Sequence, residues 1–70
     1  MRYAIVIEKA EENYSACVPD LPGCIATGAA LEEAEAEIRE AIIFHVGKLR
    51  EDGIAVPAGE STVDYVDVSV

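Results

Sequence analysis

The sequence predicts one small α+β domain of order β-β-β-α-β, filling residues 1–70. Three observations carry that expectation. Short β-branched and aromatic runs alternate with turn residues over the first thirty positions, the pattern of consecutive strands. From Leu31 the apolar period changes from two to three-and-four, the mark of one long amphipathic helix. The run Val63–Val70 then returns to strand chemistry. Consecutive strands with short turns form an antiparallel three-stranded meander, the helix packs on the sheet, and the final strand rejoins it.

Arg2–Glu8 reads as the first strand, with Tyr3, Ile5 and Ile7 on one face and Ala4 and Val6 on the other. Two apolar faces suit a central strand covered on both sides. Lys9–Asn13 is a charged turn, and Tyr14–Val18 is the second strand. The corner Pro19-Asp20-Leu21-Pro22-Gly23-Cys24 follows. Each proline fixes φ and removes a donor, and the glycine supplies a positive φ, so the corner is stiff and holds two strands in one register. Cys24–Thr27 is a short third strand, ended by Gly28.

The helix runs from Leu31 to about Glu51, with Leu31, Ala34, Ile38, Ala41, Ile42, His45 and Leu49 on one stripe. Glu32, Glu33, Glu35, Glu37 and Glu40 load its first half, and Lys48 and Arg50 its last turn, as the helix dipole favours. Asp52-Gly53 is a C-terminal stop. Ile54–Thr62, with Pro57 and Gly59, is an extended connector. The alternation of Val63–Val70 slips between Tyr65 and Val66, which marks either a bulge or a shifted boundary.

A chain of this length buries only ~60% of its unfolded surface and is marginal alone. It needs a staple or a partner. Fourteen acids against five bases give a formal net charge of −9. That balance repels phosphate backbones and anionic lipid, so no direct nucleic-acid or membrane binding is expected. A basic protein is the natural partner, although acidity also serves solubility alone. No run at the N-terminus reads as a signal peptide or a membrane span. The expected compartment is the cytoplasm, where thiols stay reduced.

Cys17 and Cys24 flank the corner. In the simplest hairpin register they face each other, which leaves a disulfide geometrically open; in a reducing compartment they are two free thiols. A zinc site needs more ligands than Cys17, Cys24 and the single His45 supply, and no metal or cofactor is expected. His45 lies on the apolar stripe and reads as a packing or rim residue, because catalysis would need a nucleophile and an orienting carboxylate beside it. No catalytic residue is assigned. Glu33, Glu37 and Glu40 share one helical face, either a solvated surface or a docking surface for a basic partner. Ile43 and Phe44 point away from the buried stripe, near Ala36 and Gly47, and form a second apolar patch suited to self-association or partner burial.

The run from Tyr14 through Val18-Pro19-Asp20-Leu21-Pro22-Gly23-Cys24, then Thr27-Gly28, Leu31-Glu32-Glu33-Ala34, Asp52-Gly53 and Val56-Pro57, resembles the HicB family of type II antitoxins. The resemblance covers nearly the whole chain. It implies a truncated ribonuclease H-like fold without ribonuclease activity. Consistent with that, the first strand carries no carboxylate between Tyr3 and Ile7 to help hold a metal. The implied partner is a small basic HicA-like toxin that cuts mRNA, masked at its active site by this domain. On that reading the partner contacts are Asp20, Leu21 and Pro22 at the corner, Glu33, Glu37 and Glu40 for charge, and Ile43 and Phe44 as apolar anchors, in a homodimer or higher even oligomer. The alternative is a solitary HicB-like oligomeric scaffold or small-ligand module without a toxin. Two departures stand out. Many family members continue into a helix-turn-helix or ribbon-helix-helix that binds DNA, whereas this sequence runs to Val70 after its last strand, so a short form without that tail is expected. Ala30 stands where the family often has Thr or Ser, which removes a capping box and costs the helix start about 1 kcal/mol.

Overall fold

The computed structural model describes all seventy residues. Strands β1 (Val6–Lys9), β2 (Tyr14–Cys17) and β3 (Ile25–Gly28) are followed by helix α1 (Leu31–Glu51). The sheet order is β1-β2-β3, antiparallel throughout, with Val6 opposite Cys17 and Cys17 opposite Ile25. The α+β class, the meander and the helix are as the sequence leads one to expect.

β1 starts later than the apolar pattern suggests. Upstream of Val6 the partner positions on β2 would be Val18 and Pro19, and there the corner turns away. Pro19 has no N–H to donate, so the ladder ends and Tyr3–Ile5 continue half-buried but unpaired. β1 is also an edge strand, not the doubly covered central strand its two apolar faces imply. α1 covers one sheet face only.

That covered face holds the core. Ala16, Val18, Leu21, Cys24, Ile38 and Val46 form one buried cluster, with Tyr3, Ile5, Ile7, Ala26, Ala41, Ile42 and Val56 packed around it. On α1 the deepest line is Ala34, Ile38, Ile42 and Val46, a four-residue spacing that drifts across the helix face. Val46 therefore takes a core place that a strict stripe through His45 leaves out, and Leu31, expected inside, is exposed.

The corner is two successive turns. The Val18 carbonyl accepts from Leu21 N–H (3.1 Å) and the Leu21 carbonyl from Cys24 N–H (3.0 Å), while Val18 N–H donates to the Cys24 carbonyl (3.2 Å). Pro19 and Pro22 each occupy the second turn position. Gly23 has φ +82°, the value the third position of a type II turn requires. α1 starts at Ala30 without a side-chain cap. It ends in a Schellman closure, with Gly53 N–H on the Arg50 carbonyl (3.1 Å) and Ile54 N–H on the Leu49 carbonyl (2.9 Å).

The connector after α1 is extended, as expected, and is tied down in three places. The Tyr3 hydroxyl donates to the Pro57 carbonyl (2.6 Å). Gly59 lies against the Arg2 carbonyl so closely that no Cβ would fit. Glu60 and Ser61 are held by Asp20.

The expected fourth strand is the main correction. Residues 63–70 form no ladder and lie exposed, with Tyr65 91% and Val68 72% accessible. Their apolar side chains fall on both faces, Val63 and Tyr65 on one and Val66, Val68 and Val70 on the other. A strand of that kind needs a neighbour alongside and cover on both sides, and a single chain with one helix supplies neither. The result is an arm. The radius of gyration is 13.7 Å, against about 11 Å for a compact chain of this length.

Candidate binding surfaces

Asp20 was expected as a contact residue at the corner, and the fold uses it as a clamp. Its Oδ2 accepts the N–H groups of Glu60 (3.1 Å) and Ser61 (3.0 Å), and its Oδ1 accepts the Ser61 hydroxyl (3.0 Å). The Ser61 N–H, more than any other group, holds the Asp20 carboxyl below its ordinary pKa. Partial burial opposes the shift, and the Ser61 hydroxyl and Glu60 N–H add to it. Leu21 is fully buried and belongs to the core, which corrects its expected place at a contact surface. The corner needs it there: two turns that reverse the chain point one side chain inward, and an apolar one anchors the loop. Pro22 stays exposed.

Glu33, Glu37 and Glu40 are exposed along α1, and Phe44 continues their line at 76% exposure. At 100° per residue, positions 33, 37, 40 and 44 fall within about 60° of one another. The structure thus joins the acids and the aromatic into one outward stripe, which the sequence reading treated as two features.

Ile43 belongs to a different surface. A shallow groove opens between the N-terminal segment and α1. Tyr3, Ile42, Ile43 and Val46 give it an apolar floor. Arg2, Arg39 and Arg50 line it against one acid, Glu35. Three of the chain's five basic side chains therefore lie along this groove, Arg2 and Arg39 at one end and Arg50 at the other. The sequence carried a signal for this: Arg39, Ile43 and Arg50 are spaced by four and seven and lie on one helical line.

The two cysteines do not face each other. Cys17 pairs with Ile25, so Cys24 falls opposite Val18 and on the other face of the pleat. Both thiols are free, and burial raises the Cys24 pKa, which keeps that thiol protonated and unreactive. Cys17 lies on the sheet face away from α1, in a row with the exposed Val6 and Ile25. His45 is half-buried on α1. No three His, Cys, Asp or Glu side chains converge in a way that could hold a metal ion. No helix is long and apolar enough to cross a membrane.

A single helix packs on an antiparallel meander, with a charged stripe on the helix and an open groove beside it. Residues 3–69 match the HicB-like antitoxin family of bacterial toxin–antitoxin systems, and the chain belongs to that family. An uncharacterized 14.9 kDa protein of Haemophilus phage HP1 is 39% identical over 67 residues, which cover 96% of this chain and 50% of that protein. The chain thus spans half the length of this phage relative. A UPF0150 protein of Helicobacter pylori is 43% identical over 58 residues, 83% of this chain and 81% of the relative. Among solved structures, a chain of a HicA3 and HicB3 toxin–antitoxin complex superposes with a TM-score of 0.74 at 27% identity, over 86% of this chain and 70% of that one.

Proposed function

We propose that this domain is the neutralising half of a toxin–antitoxin pair. It binds a small, basic, HicA-like mRNA-cutting toxin and masks the toxin's active site, by occlusion and not by catalysis, in the cytoplasm. Family membership supports the class of partner, as does the likeness to a chain solved in a toxin–antitoxin complex. The observation that carries the mode of binding is the stripe Glu33-Glu37-Glu40-Phe44. Three carboxylates steer a cationic protein inward, and an exposed aromatic at the end of the line supplies the desolvated anchor that charges alone lack. Pro22 extends the contact from the rigid corner, while Ile43, in the neighbouring groove, serves self-association. The chain also self-associates, as a dimer or a higher even oligomer.

Co-expression tests this reading. The adjacent reading frame, induced alone, should arrest growth, and this domain should restore growth and co-purify with the product. Glu33→Lys/Glu37→Lys/Glu40→Lys should abolish rescue while the domain stays folded. A non-toxic neighbour, or rescue undisturbed by the triple reversal, would overturn it.

A further inference from the structure

We infer that residues 63–70 are an exchange arm: in a dimer, the arm of each chain lies along the β1 edge and groove of the other. The inference deepens the self-association named above and rests on it. The first observation is the arm itself. Val63, Tyr65, Val66, Val68 and Val70 are all exposed, and no backbone group of residues 63–70 pairs with another backbone group. An extended, unpaired, β-branched segment is an edge-pairing element without its edge. The second is the root. Tyr3, Arg2 and Asp20 fix residues 57–61, so the direction in which the arm leaves is set, and it leads off the fold.

The third observation is the receiving site. β1 has no strand on its outer side. The groove of Tyr3, Ile42, Ile43 and Val46 lies open between α1 and the N-terminal segment that leads into β1. Eight arm residues at about 3.3 Å each span roughly 26 Å, ample for the four-residue edge Val6–Lys9, whereas Arg2–Ala4 are already flanked by the chain's own Gly59–Val63. The charges match: Arg2, Arg39 and Arg50 line the groove, and the arm carries Asp64 and Asp67 among its valines. The area is also adequate. The chain exposes 5541 Å², about 1,300 Å² more than a compact monomer of its mass, and a stable interface takes about 800 Å² from each partner. A second copy supplies both missing halves at once, the strand for the edge and the edge for the strand.

Light scattering on the full chain, without toxin, should give twice the 7.5 kDa chain mass. Val66→Asp/Val68→Asp in the arm and Ile43→Asp in the groove should each weaken the dimer about tenfold or more. Circular dichroism should stay unchanged, since all three side chains are exposed. In a dimer mixed from isotope-labelled and unlabelled chains, filtered nuclear Overhauser spectra should connect the Val66 and Val68 methyls of one chain to Ile42 and Ile43 of the other. A monomer would overturn the inference and the self-association reading together. A dimer unaffected by the arm variant, or arm contacts found only within one chain, would overturn the exchange and leave self-association standing. Neither result bears on toxin binding.

Discussion

The corner Pro19–Cys24 and the arm Val63–Val70 are of similar length, and both read from sequence as well-defined elements, yet they meet opposite fates. The corner closes three backbone hydrogen bonds among its own and flanking residues and buries Leu21 completely. The arm closes none and buries nothing. The difference is locality. Proline and glycine impose turn geometry through their own torsions, so the corner needs only its neighbours. A strand gains its hydrogen bonds from another strand, so the arm's structure depends on what lies beside it.

Substitutions at the two places should separate them cleanly. The largest effect belongs to Leu21→Ala, which leaves a cavity in the core and should cost about 2–5 kcal/mol in urea unfolding. For a small domain that approaches the whole stability. Val68→Ala should change unfolding by less than about 0.5 kcal/mol at dilutions where the chain is single. A Leu21→Ala variant as stable as the parent would remove the distinction.

Gly23→Ala comes next. A side chain at φ +82° strains the backbone, and a loss of about 1–2 kcal/mol is expected. The test is again the unfolding midpoint. No loss would mean that the corner tolerates another turn geometry.

A third test acts where corner and connector meet. The Asp20 carboxyl is depressed when folded, chiefly by the Ser61 N–H. Its stabilisation is therefore fully present above the ordinary Asp value and is lost as pH falls through the lower, folded one. Exchange at the Glu60 and Ser61 amides, followed across that acid range and corrected for intrinsic rate, should lose protection there, and Asp20→Ala should remove it at neutral pH. Protection that survives either change would show the connector held by Tyr3 and Gly59 alone.

The smallest effect is a gain. Ala30 opens α1 without a side-chain cap, so Ala30→Ser should add about 1 kcal/mol. An unchanged midpoint would show that N–H groups at the start of α1 are already satisfied.

Most of the fold was legible because its signals are local. The change of period at Leu31, the missing cap at Ala30, the stop at Gly53 and the Pro-Gly corner each act within a few residues. The errors came from long-range facts. β1 looked central because Ala4 and Val6 are apolar, but pairing order is not written in one strand's composition. The free thiols at Cys17 and Cys24 were expected, but only the register, which sets Cys17 against Ile25, closes the disulfide left geometrically open. Leu21 looked like a surface residue because its neighbours are turn-formers, whereas the double turn directs it inward. The stripe joining Glu33, Glu37, Glu40 and Phe44 was available from spacing alone, as was the line from Arg39 through Ile43 to Arg50. What spacing could not give was the N-terminal segment that faces Ile43 and makes a groove of it.

Isothermal titration of the purified neighbouring-frame protein with this domain, parent against Phe44→Asp, bears most directly on the central claim. Tight binding by the parent, weakened about a hundredfold or more by the substitution, which is at least ~2.7 kcal/mol, with weaker binding at higher salt, is the predicted result. No binding by the parent, or equal affinity for both proteins at every salt concentration, would contradict it.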